Sequence, residues 1–194
     1  MLQESKQTDP RKNGTLILSD QNIEGIDQLP SPDKILSLNL SNNKIKKFQN
    51  LEHLKNLKEL NLSHNQLENF EGLDPCKSLT VLNLSHNLFE TLEFLPKLSL
   101  LTDLNLNKNN LKSLKGWENV KDLRKLSASS NKIKEIAYLP NFNKYEELIL
   151  YDNKLEVIHP NTFEYGNSLI FLDLSQNRLK KVTFLAPLKN LQVK

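Results

Sequence analysis

Apolar and polar positions along this chain repeat as one phrase. In Leu57-Lys58-Glu59-Leu60-Asn61-Leu62-Ser63-His64-Asn65-Gln66-Leu67 leucines hold the first, fourth, sixth and last places, and asparagine holds the ninth. The phrase recurs at Ile35 to Ile45, Leu79 to Phe89, Leu101 to Leu111, Leu123 to Ile133, Tyr145 to Leu155 and Leu169 to Leu179. A degenerate copy runs from Asn13 to Ile23, with Gln21 in the asparagine place. The pattern asparagines Asn43, Asn65, Asn87, Asn109, Asn131 and Asn153 are 22 residues apart, and Asn177 follows after 24. A period sustained over eight copies marks a repeat architecture.

Each part of the phrase has a structural meaning. Leu60 and Leu62 alternate with polar residues, so they share one face of a short strand. Successive copies then lay their strands side by side in parallel. The asparagine follows where the chain turns. Its amide carries donors and an acceptor, enough to satisfy turn backbone that would otherwise be buried unpaired. Leu67, Phe70 and Leu73 come at spacings of three and point inward from the return segment. About eleven residues remain for that return, too few for a long helix, so 3₁₀ turns and extended chain are expected.

The phrase LxxLxLxxNxL and tails such as Ile133-Ile136-Leu139 resemble the leucine-rich repeat family over about residues 13–190. The tail is similar to that of the intracellular 22-residue subclass, typified by a regulatory subunit of the type-one protein phosphatase. The resemblance implies an α/β repeat solenoid: curved and right-handed, with a parallel β-sheet on the concave face and 3₁₀ turns and loops on the convex face. It also implies a non-enzymatic module, a regulatory or structural subunit that binds another protein through the concave face or the open C-terminal end. Relatives in ciliary axonemes and dynein complexes suggest a cytoskeletal alternative. A spliceosomal relative suggests an RNA–protein complex as another.

The expected organisation is an arm or cap over residues 1–12 and a solenoid of eight repeats over 13–194. Each repeat buries its leucines only against its neighbours, so stability is a sum of nearest-neighbour terms. Pro30, Pro32, Pro75, Pro96, Pro140, Pro160 and Pro187 all fall in return segments, outside the strands that could not accept them. Ala128 stands where neighbouring repeats have Leu106 and Leu150, and Trp117 is a candidate to fill the gap. Two extra residues around His159-Pro160-Asn161-Thr162-Phe163 should bulge the seventh return. Leu188-Lys189-Asn190-Leu191 matches Leu54-Lys55-Asn56-Leu57 in register, so Lys194 falls where a ninth strand would begin. No polar capping repeat is seen, so the apolar C-terminal edge at Leu185, Leu188 and Leu191 is expected to be covered by a partner or to adjoin a further segment of a longer protein.

Composition narrows the function. The 194 residues carry 26 basic and 23 acidic side chains, a net charge of +3, which is no strong case for nucleic acid or an anionic membrane. Cys76 is the sole cysteine, which excludes a disulfide within the chain. No apolar run opens the chain, so no signal peptide is expected, and no stretch approaches a transmembrane helix. An intracellular, cytoplasmic setting is expected, with cilium or nucleus as other settings.

Candidate sites lie on the concave face. One stripe is Ile17, Asn39, Asn61, Asn83, Asn105, Ser127, Ile149 and Asp173, whose asparagines could stack as an amide ladder about 4.8 Å apart. The next is Ser19, Ser41, Ser63, Ser85, Asn107, Ser129, Tyr151 and Ser175. A third is Ser37, Glu59, Val81, Asp103, Lys125, Glu147 and Phe171, in which neighbouring charges can pair. His64 and His86 should sit side by side, with no third metal ligand in their column. Lys44, Lys46, Lys47, Lys132, Lys134, Lys154, Arg178, Lys180 and Lys181 read as a solvated edge. No nucleophile elbow or phosphate loop occurs, and no cofactor, metal or small-molecule substrate is expected. The expected partner site is Ile149, Tyr151 and Phe171, rimmed by Glu147, Asp152 and Asp173. Aromatic anchors of this kind dominate binding hot spots.

Overall fold

The structure is a computed structural model, and it describes residues 10–192 apart from 28, 137, 138, 140, 141 and 165. Among the described residues ten short strands form in chain order: β1 (Thr15–Ile17), β2 (Ser37–Asn39), β3 (Glu59–Asn61), β4 (Val81–Asn83), β5 (Asp103–Asn105), β6 (Lys125–Ser127), β7 (Glu135–Ile136), β8 (Glu147–Ile149), β9 (Val157–Ile158) and β10 (Phe171–Asp173). Eight of them make one sheet in the order β1-β2-β3-β4-β5-β6-β8-β10. All pairings in it are parallel, with Leu16, Leu38, Leu60, Leu82, Leu104, Leu126, Leu148 and Leu172 in one row. The chain is a right-handed solenoid with this sheet on its concave side, the hand that parallel strands joined by crossovers take.

The pattern asparagines do what their chemistry suggests. The Asn65 amide nitrogen donates to the carbonyls of Leu40 (3.0 Å), Leu62 (3.1 Å) and Ser63 (3.3 Å). Its Oδ1 accepts from the Ile45 N–H of the preceding repeat at 2.9 Å. Asn43, Asn87, Asn109, Asn131, Asn153 and Asn177 repeat this arrangement. Gln21 has the longer side chain, and its amide reaches only the local carbonyls of Ser19 and Asp20. The chain reverses with help from one further residue that the pattern left unassigned. Asp20, Asn42, His64, His86, Lys108, Ser130, Asp152 and Gln176 all have φ between 52° and 61°. Asp, Asn and His are the side chains that tolerate this left-handed region best, which accounts for their recurrence before the pattern asparagine.

Return segments are extended chain with 3₁₀ turns at Pro32–Lys34, Trp117–Asn119, Phe142–Lys144, Pro160–Phe163 and Thr183–Leu185. The described α-helix is a single turn, Pro10–Asn13, so the helical half of the expected α/β class is 3₁₀ almost throughout. The 3₁₀ turn wins because so short a return leaves no room for a longer helix. The prolines at 30, 32, 75, 96, 160 and 187 stand outside every strand, and Pro140 lies outside the described residues. One feature was not expected: β7 and β9 pair in parallel as a second, convex ladder. The two extra residues of the seventh repeat are taken up beside it in the turn Pro160–Phe163, where Phe163 is buried with its ring 5.7 Å from that of Phe184.

The core is the stacked leucines with convex aromatics between them. Phe70 and Phe89 stack at 4.5 Å, and Trp117 lies tilted against Tyr145 at 5.8 Å. Trp117 and Ala128 are both buried. At the far end Leu172, Leu174, Leu179, Leu185 and Leu191 are only partly buried, while Phe184 and Leu188 are covered. Gln192 N–H donates to Ile170 carbonyl at 3.0 Å, repeating the step from Lys58 to Leu36 and from Thr80 to Lys58.

Candidate partner-binding face

Strand alternation turns the leucines inward and leaves three columns facing the concave side. The first column runs along the sheet as Asn39, Asn61, Asn83 and Asn105. Its asparagines do not form an amide ladder. Each Oδ1 instead accepts from the backbone N–H two residues on, at Ser41, Ser63, Ser85 and Asn107, all at 3.0 Å. The local bond wins because it closes a turn donor within one residue's reach, whereas a ladder would leave that donor unpaired. Asp173 Oδ1 serves Ser175 N–H in the same way at 2.9 Å.

The second column is less open than its polarity suggests. Ser41, Ser63 and Ser85 are buried, because so short a side chain barely clears the backbone of adjoining turns. Repeat six is built differently. Ser127 replaces the capping asparagine, and its hydroxyl donates to Asn107 rather than capping Ser129 N–H. Asn107, one repeat earlier, replaces a serine and caps that N–H across the strands at 2.6 Å while accepting from Ser127 Oγ at 2.7 Å. Two departures from the repeat therefore compensate each other.

In the third column Lys125 Nζ lies 3.1 Å from Glu147. The hydrogen bond and charge of Glu147 raise the lysine pKa, with Asp103 adding to the effect. Asp103 is held instead by the Thr102 hydroxyl at 2.6 Å. Glu59 accepts from Ser37 Oγ at 3.0 Å. The pairing expected of alternating charges thus forms on one side of Lys125, and both partners are solvent-exposed enough that it contributes little.

The residues of the expected partner site lie on the paired strands β8 and β10 and just after β8. Ile149 faces Asp173 in the ladder, and Phe171 faces Glu147, which places Phe171 diagonal to Ile149. Tyr151 is 42% exposed, and Ile149 and Phe171 are half-buried. Asp152 is exposed beside Tyr151. The other candidates separate from this patch. His64 and His86 stack with ring centroids 3.7 Å apart. Partial burial, then the neighbouring charges of His64 and Lys108, lower the His86 pKa. Among the described residues no three His, Cys, Asp or Glu side chains are grouped to hold a metal ion. Lys44, Lys46 and Lys47 are exposed, while Lys112 pairs with Glu90 at 2.6 Å and Arg178 lies 3.8 Å from Glu156. Cys76 is a buried free thiol whose pKa burial pushes up to about 12. Among the described residues no helix is long and apolar enough to cross a membrane.

Comparison with known proteins agrees with the fold. A family described as Leucine Rich repeats (2 copies) matches residues 33–75, and one described as Leucine Rich Repeat matches residues 78–98. No curated protein matches the chain. Among solved structures, internalin C2 of Listeria monocytogenes is 26% identical with a TM-score of 0.83, covering 94% of this chain and 80% of that one. A TLR13–ssRNA13 complex is 28% identical with a TM-score of 0.74, covering 82% of this chain and 24% of that one. The internalin InlF of Listeria monocytogenes is 22% identical with a TM-score of 0.76, covering 92% and 52%, a likeness of fold alone. This chain thus spans about a quarter and about half of the latter two. None of the three is the phosphatase regulatory subunit that the repeat tails resemble. Repeat spacing, family descriptions and solenoid geometry together give this chain the leucine-rich-repeat solenoid fold.

Proposed function

We propose that this chain is a non-enzymatic interaction module that holds a partner protein on its concave face, at the Ile149–Tyr151–Phe171 patch. The observation that carries this reading is local. Asparagine and serine occupy the first two concave columns through β2 to β5, and then an exposed tyrosine, an isoleucine and a phenylalanine lie on and beside β8 and β10. Contiguous exposed apolar residues of this type are uncommon on monomers, and aromatic anchors carry most of the energy of many interfaces. Glu147, Asp152 and Asp173 provide a polar rim. The module serves as a regulatory or structural subunit of a larger assembly. Its setting is intracellular, which the free thiol of Cys76 fits.

The test is affinity capture with quantitative mass spectrometry, followed by binding of the recovered partner to the Tyr151→Ala, Phe171→Ala double variant. Binding should weaken by about tenfold or more, as loss of two aromatic anchors implies. The thermal midpoint should stay near that of the parent. Undiminished binding by a folded double variant places the site elsewhere.

A further inference from the structure

Six concave turns close one backbone donor internally. The N–H groups of Ser41, Ser63, Ser85, Asn107, Ser129 and Ser175 each donate to an asparagine or aspartate Oδ1. In the seventh repeat the capping position is Ile149, which has no oxygen. Among the described residues no acceptor reaches the Tyr151 N–H, which lies on a residue 42% exposed. Water satisfies such a donor in the free protein. A wholly apolar occupant that displaced the water would leave it desolvated and unpaired, which weakens binding. The patch therefore favours an occupant that is apolar and also brings an acceptor.

Charge narrows the acceptor. Among the described residues of the three concave columns, Glu59, Asp103, Glu147 and Asp173 stand against the ammonium of Lys125, on a chain whose net charge is +3. Lys125 is already engaged by Glu147 at 3.1 Å. Asp173 lies opposite Ile149 in the ladder and Asp152 follows Tyr151, and neither has a cationic partner among the described residues. A carboxylate brought to Tyr151 N–H would meet these like charges, whereas a peptide carbonyl would not. The same carboxylates attract a cation.

Resting on the patch assigned above, we propose that its occupant is an extended peptide segment carrying lysine or arginine. One main-chain carbonyl of that segment accepts from Tyr151 N–H. An apolar side chain covers Ile149 and Phe171, and the cationic side chain meets Asp173 and Asp152.

The full chain is panned against a random peptide library of about twelve residues displayed on phage, and enriched peptides are synthesised and their affinities measured by fluorescence polarisation. Enriched peptides should combine Lys or Arg with apolar residues and bind more weakly as salt rises. Asp173→Asn should weaken them several-fold. Ile149→Asn supplies the internal cap found in β2 to β5, so it should cost no stability, yet it should weaken the peptides at least tenfold. Enrichment of acidic or uncharged peptides that still depend on Tyr151 and Phe171 overturns the cationic occupant and leaves the patch standing. Full affinity in Ile149→Asn overturns the role of the Tyr151 N–H. No enrichment, or peptides indifferent to Tyr151→Ala with Phe171→Ala, overturns the patch as well.

Discussion

The exchange between Asn107 and Ser127 offers a direct measure of how one repeat supports the next. Asn107 Oδ1 holds two donors of the sixth repeat, Ser129 N–H at 2.6 Å and Ser127 Oγ at 2.7 Å. Asn107→Ser removes both bonds and leaves the Ser129 donor without its cap. At about 0.5–1.5 kcal/mol for each bond, and toward the lower end because the site is only partly buried, the loss should be about 1–2 kcal/mol. For a chain of this size that lowers the thermal midpoint by about 2–8 °C. Ser127→Asn alone adds a local cap where one already exists, and should lie within about 0.5 kcal/mol of the parent. The double exchange rebuilds the arrangement seen at Asn39 with Ser41, Asn61 with Ser63 and Asn83 with Ser85. It should recover most of the loss, giving a coupling of about 1 kcal/mol in a double-mutant cycle. Urea titration with an unchanged slope measures the stabilities, and hydrogen exchange at the Ser129 amide reports the bond itself. A double variant as unstable as the sum of its parts would refute the cross-strand cap. So would a Ser129 amide equally protected in all four proteins.

Leu104→Ala, in a fully packed row between Leu82 and Leu126, should cost about 2–5 kcal/mol in the same titration. Gly116 has φ of 105° and a Cβ there would lie 2.1 Å from the Leu92 carbonyl oxygen. Gly116→Ala should therefore destabilise by more than about 1 kcal/mol, read as a lower urea midpoint. Cys76 should resist alkylation at neutral pH until the chain unfolds, since burial pushes its thiol up to about 12. His86 binds its proton less readily folded than unfolded, so stability should fall as pH drops through the usual histidine range. His86→Asn, a residue equally suited to φ near 54°, should flatten that part of the pH profile of thermal midpoint.

The period of the leucines and asparagines was enough to specify the sheet, its parallel register and the strand membership of each repeat. A repeat meets only its neighbours, so spacing along the chain translates directly into neighbourhood in space. The pattern asparagines were legible for the same reason, since buried turn backbone must be paired and only an amide at that place supplies both donors and acceptor. The location of Ile149, Tyr151 and Phe171 on one open face followed from strand alternation. Tertiary structure decided what each concave polar group does. Asparagines that could have stacked on one another cap their own turns, because an unpaired donor lies two residues on in the same turn. Serines that looked exposed are buried by the turns on either side. The left-handed column, the convex β7–β9 ladder, the bond from Ser129 to Asn107 and the unclosed N–H of Tyr151 depend on backbone angles and on distances between turns. Spacing sets which residues are neighbours, whereas hydrogen bonding depends on differences of a few tenths of an ångström that spacing does not encode.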